Sequence, residues 1–178
     1  MEGRPELSNL HLEGNICVAG GSGFVGTRLC AKLQESKREF IIFDLCVGDH
    51  FSPQTVQGDI CVAAQLDELD NCDTLFNLAA VHRDDVRPLS RYDDVNVQGS
   101  VNLCEAARKH GINKIIFTSS VAIYGFAPAD TDESGEPNYF NDYGRTKYLA
   151  EQVYKEWQAE DPENRTLVIV RPTVIFGE

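Results

Sequence analysis

The chain has 178 residues, 42% hydrophobic and 25% charged, a balance that fits one globular domain with a core of its own. Lys and Arg number 16 against 28 Asp and Glu, and the resulting net charge of −12 excludes nonspecific nucleic-acid binding, which needs a basic surface. No apolar run is long enough to span a bilayer, no secretory leader is recognisable, and Cys17, Cys30, Cys46, Cys61, Cys72 and Cys104 form no CxxC pair, so they read as reduced thiols of a cytoplasmic protein.

Residues 1–14 are polar and irregular and read as a tail. From 15 onward a strand, loop and helix rhythm begins. Residues 16–19 form a short apolar run ending in glycines, the mark of a buried strand, and 24–35 carry Val25, Leu29 and Leu33 at helical spacing. Strands are expected at 40–45, 55–58, 74–79, 114–119 and 167–171. Helices are expected at 63–69, at 92–110 with Gly111 as C-cap, and at 143–160. Strands alternating with helices imply a parallel sheet covered on both faces, an α/β doubly wound fold over 15–178. The longest irregular stretch, 126–142, carries Asp130, Asp132, Glu133 and Glu136. The chain stops at RPTVIFGE without a closing element, which reads as a fragment.

Residues 19–26 read AGGSGFVG. Gly20, Gly23 and Gly26 follow a strand and open a helix, as a pyrophosphate-binding turn requires. The first permits the tight turn, the second lets backbone approach the phosphates, and the third lets the helix pack closely. The free amides of the helix start, at Phe24 and Val25, and its positive end then favour an anion. Asp44 ends the second strand eighteen residues after Gly26, where an acid accepts from the adenosine ribose hydroxyls and repels an extra phosphate. No arginine follows it, so the expected cofactor is NAD rather than NADP. Asp59 and Ile60 are candidates to flank the adenine, and the small residues Ala79 and Ala80 leave room for a cofactor at the strand ends. A solvated aspartate and plain close packing are the competing readings.

The fifth strand runs into Ser119 and Ser120, and Tyr143 is followed four residues later by Lys147 in YGRTK. Residues four apart share a helix face, and an ammonium beside a phenol favours the phenolate. Such a tyrosine can act as general base toward a hydroxyl that Ser120 holds in line.

Together GGSGFVG, Asp44, NLAA, SSVAIYG, YGRTK and RPTVIFG resemble the extended short-chain dehydrogenase/reductases with a Rossmann-type domain, over nearly the whole of 15–178. The resemblance implies Tyr143 as base, Lys147 as its modulator and nicotinamide-ribose ligand, and Ser120 as the substrate-hydroxyl partner. It also implies Asn96 as an organiser of the site and Pro172 at the cofactor. Thr146 departs from the more usual serine. A homodimer through the helices at 92–110 and 143–160 is implied as well, as is a further substrate-binding domain beyond these residues, without which turnover is not expected.

Val121 and Ala122 stand where the family's dehydratases carry acids, and the decarboxylase pattern is missing, which leaves NAD-dependent 4-epimerisation of a diphosphate-linked hexose through a 4-keto sugar. The run 79–99 resembles epimerases of polyprenyl-linked N-acetylglucosamine, which would put the protein in peripheral contact with the inner membrane. His82 and Arg83, with Arg87, then become candidate substrate contacts, the first for the sugar and the arginines for the diphosphate. A solvated charged loop explains them equally well. No metal-ligand set is expected. Another sugar or alcohol dehydrogenase of the same family, or a non-catalytic NAD-binding module, stays open.

Overall fold

A computed structural model describes residues 14–177. Six parallel strands form one sheet in the order β3-β2-β1-β4-β5-β6. Here β1 is Ile16–Ala19, β2 Phe40–Asp44, β3 Thr55–Gln57, β4 Thr74–Asn77, β5 Lys114–Thr118 and β6 Thr166–Val170. Strand order reverses between β1 and β4, which pair in register from Ile16 with Thr74 to Ala19 with Asn77. A crevice opens beyond the carboxyl ends of strands at such a switch point.

All four residues of β1 are fully buried, as a central parallel strand with both faces covered must be. The period of two sorts them. Ile16 and Val18 face one core with Cys30 and Leu33 of α1 (Phe24–Glu35). Cys17 and Ala19 face the other, with Leu103, Ala107, Tyr154 and Trp157. That second core is roofed by α3 (Gly99–His110) and α4 (Asp142–Ala159). Burying each large side chain there stabilises by roughly 1.5–3 kcal/mol. Every cysteine is a free thiol, and Cys17, Cys30, Cys72 and Cys104 lie inside these cores.

Three expectations need correction. The helix at 63–69 is a 3-10 stretch, Ala63–Leu69, whose two buried residues, Leu66 and Leu69, are three apart as that tighter turn demands. The long helix begins earlier than expected. It opens with one turn, α2 (Ser90–Tyr92), widens into π-turns over Asp93–Gln98, and only then becomes α3, which Gly111 ends in the left-handed conformation at φ +71°. Five strands end one or two residues short of their expected bounds, because the chain leaves the sheet to line the crevice. Asn77 shows how, its side chain accepting from the amide of Ala79 at 3.0 Å. Most of the expected tail, residues 1–13, lies outside the described residues.

Candidate active site

The loop after β1 is shaped by two close approaches. Gly20 has φ +79°, and a Cβ there would stand 2.6 Å from the amide nitrogen of Ala79 on the neighbouring β4 exit. A Cβ on Gly26 would stand 2.5 Å from the carbonyl of Gly20, so this glycine lets α1 press against the loop. Gly23 is the N-cap of α1 and supplies no side-chain cap, which leaves the first-turn amides of Phe24 and Val25 for another acceptor. Ser22 is tied to β2 because its amide donates to the Asp44 carboxylate at 3.0 Å. The Ser22 hydroxyl is buried without a hydrogen-bond partner among the described residues.

This loop forms one wall of a cleft of about 940 Å³ across the strand ends. Gly20, Gly23, Phe24, Val25, Gly26, Asp44, Asp59, Ile60, Ala79, Ala80 and Pro172 all line it, as do Ser120, Tyr143, Lys147 and His82. Asp59 accepts from the amide of Cys61 at 2.8 Å, which fixes the turn that carries Ile60. Pro172 accepts from the amide of Val121 at 3.1 Å and closes the far end.

Asn96, expected as an organiser of the site, is buried. It does not line the cleft but stands behind its wall. Its amide group donates to the carbonyl of Val81 at 2.9 Å, accepts from the amide of Val81 at 2.8 Å, and donates to Thr146 Oγ1 at 3.0 Å. The π-turns carry Asn96 into that position, so it acts on the cleft through Val81. Arg83 does not line the cleft either. A two-point ion pair with Asp85 at 2.8 Å holds it, and it lines only a side pocket of about 290 Å³ shared with His82, Arg87 and Arg91.

Ser120, Tyr143 and Lys147 converge at the end of β5. Ser120 caps a 3-10 turn, Val121–Tyr124, with its hydroxyl accepting from the amide of Ala122 at 3.1 Å. Asn141 caps α4 by accepting from the amide of Gly144 at 2.8 Å, which starts the helix in time to aim Tyr143 at Ser120. Lys147 is 2% exposed; its ammonium donates to the carbonyl of Thr118 at 2.8 Å and lies 6.0 Å from the Tyr143 ring centre. Burial pushes Lys147 down to about 7, against the pull of Glu151. Burial also pushes the Tyr143 phenol up, and a hydrogen bond with Ser120 pulls it back. The expected lowering of the phenol by the lysine is therefore not what this protein chain does on its own; the serine supplies the downward pull.

Behind the three lies a group the sequence reading missed. Glu151 is fully buried, accepts from Ser119 Oγ at 2.6 Å, and forms a two-point ion pair with Arg171 at 2.6 and 2.8 Å. The signal was available: Tyr143, Lys147 and Glu151 recur every four residues on one helical face.

A model of the NAD dependent epimerase/dehydratase family matches residues 16–178. The chain belongs to the NAD-dependent epimerase/dehydratase family. A family relative, the N-acetyl-alpha-D-glucosaminyl-diphospho-ditrans,octacis-undecaprenol 4-epimerase of Escherichia coli O157:H7, is 48% identical over 92% of this chain and 50% of its own length. The UDP-glucose 4-epimerase of Yersinia pestis is 30% identical over 92% of this chain and 56% of its own. Among solved structures, the UDP-glucose 4-epimerase of Brucella ovis in complex with NAD superposes with a TM-score of 0.81 at 27% identity, over 89% of this chain and 51% of that one. The chain thus spans about half the length of the curated epimerases it matches. Among its described residues no helix is long and apolar enough to cross a membrane.

Proposed function

We propose that the protein, in its natural full length, is an NAD-dependent 4-epimerase of a diphosphate-linked N-acetylhexosamine, with a polyprenyl carrier. The observation that carries this reading is the convergence of Ser120, Tyr143 and Lys147 on the floor of the same cleft whose rim is the glycine loop and Asp44. The carrier and the sugar rest on the 48% identity to the undecaprenol-linked epimerase. A substrate of that kind puts the protein at the cytoplasmic face of the inner membrane.

The residues present fit NAD. Gly20 and Gly26 keep the loop close to the sheet and to α1, the Ser22 hydroxyl has no partner among the described residues, and the α1 start offers uncapped amides, all suited to a diphosphate. Asp44 would take the adenosine ribose, Asp59 and Ile60 the adenine, Ala79, Ala80 and Pro172 the walls, and Lys147 the nicotinamide ribose. Asn96 would act by holding Val81. Bound there, NAD is the two-electron acceptor and donor that makes a C4 alcohol and its ketone interconvertible.

The chain's own part is proton handling and orientation. Ser120 holds the C4 hydroxyl toward Tyr143. The Tyr143 oxygen takes that proton and returns it once the sugar has presented its other face. The charge on Lys147 favours the phenolate while the proton is away. His82 borders the cleft and would contact the sugar, while Arg83 and Arg87 face the side pocket and would meet the diphosphate. In this reading two copies pair through α3 and α4.

The test is a product analysis. Full-length protein with NAD is given UDP-N-acetylglucosamine and, separately, polyprenyl-diphosphate-N-acetylglucosamine, and the released sugar is analysed at C4. Inversion of the lipid-linked sugar, lowered about 10²–10⁴-fold by Tyr143→Phe, is expected. Inversion of the nucleotide sugar alone refutes the carrier. No inversion of either, or full activity in Tyr143→Phe, refutes the mechanism.

A further inference from the structure

The buried network around Glu151 has no task in the proton transfer itself, yet it touches every element that carries the three reacting side chains. Ser119 precedes Ser120 at the end of β5 and donates to Glu151 on α4. Arg171, just past β6, clamps Glu151 and also donates to the carbonyl of Glu133 at 3.0 Å and to the Tyr124 hydroxyl, at the end of the turn that begins beside Ser120. Lys155 adds a longer contact to Glu151 at 3.7 Å from the solvent side. Glu151 lies one helical turn beyond Lys147 on the same face of α4.

We propose that Glu151, clamped by Arg171 and Ser119, is a positioning residue for the reaction: it fixes the β5 exit against α4 and supplies the anionic counter-charge behind the buried ammonium of Lys147. The inference rests on the reading of Tyr143 and Lys147 given above.

The surroundings of Lys147 leave that counter-charge to Glu151. From β5 it meets the carbonyl of Thr118 and the Phe117 ring, with 4.8 Å from Nζ to the ring centre. From its own helix it faces the Tyr143 ring, and the buried Glu151 carboxylate stands one turn further along the same face. The carboxylates on the elements packed against the start of α4 are engaged elsewhere, Asp93 and Asp142 both holding Arg145. Tyr124, on the adjoining 3-10 turn, is bound to Arg171. Two turns along the same face of α4, Tyr154 is held by Asn77. Burial pushes Glu151 up, but Arg171, Ser119 and Lys155 together hold it below the ordinary carboxylate range, so it stays charged. Lys147, pushed down by burial toward about 7, depends on that charge.

The experiment is the pH profile of kcat for full-length, NAD-loaded protein, with Glu151→Gln, Arg171→Gln and Lys155→Gln. The rate falls at high pH as Lys147 loses its proton. Removing the negative charge in Glu151→Gln moves that alkaline limb down by about one pH unit, the scale of a nearby opposite charge lost, and activity recovers at lower pH. Arg171→Gln and Lys155→Gln remove positive charge behind Glu151 and move the limb up. Glu151→Asp returns it toward the natural position.

A merely structural bridge gives the same sign for both partners, or an equal loss of kcat at every pH, and either result overturns the proposal. Lys155 is half exposed, so its variant keeps the test open if a buried substitution prevents folding; an unmoved limb there also counts against the proposal. Tyr143→Phe, assayed alongside, separates the two levels. If it is inactive while the limbs do not move, only the role of Glu151 falls. If it is fully active, both readings fall.

Discussion

Lys147 sits where an ammonium is poorly solvated, and among the described residues it donates to a backbone carbonyl, that of Thr118. In the unfolded chain a lysine keeps its proton to about pH 10.4. In the folded protein burial brings this one down to about 7. Between those values the unfolded state binds more protons than the folded one, so stability rises with pH through this window and falls again as pH drops toward 7. Lys147→Met removes that proton. Compared with the natural residue by urea unfolding from pH 7 to pH 10, the variant is expected to lose this part of the upward slope. An unchanged difference in stability across the window would mean that the ammonium is solvated after all. The same burial explains why Tyr143 needs Ser120: a phenol 6.0 Å at its ring centre from a half-titrated lysine is not held charged by that lysine alone.

At the scale of elements, the helical run after β4 is the least regular piece and the most consequential. Its π-turns over Asp93–Gln98 displace Asn96 toward β4, where one side chain satisfies both backbone groups of Val81. Asn96→Ala leaves those groups and Thr146 without that partner, at a cost of about 1–3 kcal/mol for buried polar groups left unmade. The predicted result is a lower urea midpoint together with weaker NAD binding, since Val81, Ala80 and Ala79 lose their backing. If stability falls and NAD affinity does not, the wall is held by something other than Asn96.

This irregularity also marks where the sequence stopped being legible. Strand positions followed from short apolar runs, because β1, β4 and β5 are buried on both faces and tolerate little else. Gly20 and Gly26 were legible because backbone proximity admits no side chain there. A π-turn has no such signature: the run 93–98 reads as ordinary helix whether or not an extra residue is wound in. The ion pair of Glu151 with Arg171 was hidden for another reason, since its members lie twenty residues apart and meet only once β6 is laid beside β5. The local capture of Arg83 by Asp85, two residues on, was likewise not legible.

For the whole molecule the decisive property is which dinucleotide the cleft takes. The chain carries a net charge of −12, so anion binding must come from local donors rather than from the overall field. Those donors are the uncapped start of α1 and the loop amides, and they serve NAD and NADP alike. Asp44 breaks the tie. Its carboxylate already accepts from Ser22 and Cys46, which fixes it at the rim where a ribose would lie, and a phosphate on that ribose would meet a fixed negative charge. A ligand that binds only the folded state stabilises it by about 2.7 kcal/mol at a hundred times its dissociation constant. Thermal unfolding of the full-length protein should therefore shift upward with NAD and stay nearly unmoved at the same concentration of NADP. Asp44→Asn keeps the acceptor for Ser22 and removes the charge; it should lower the shift with NAD and raise that with NADP, narrowing the gap. Equal shifts by the two dinucleotides in the natural protein would show that Asp44 only ties the loop to β2, and that the choice of cofactor is made elsewhere.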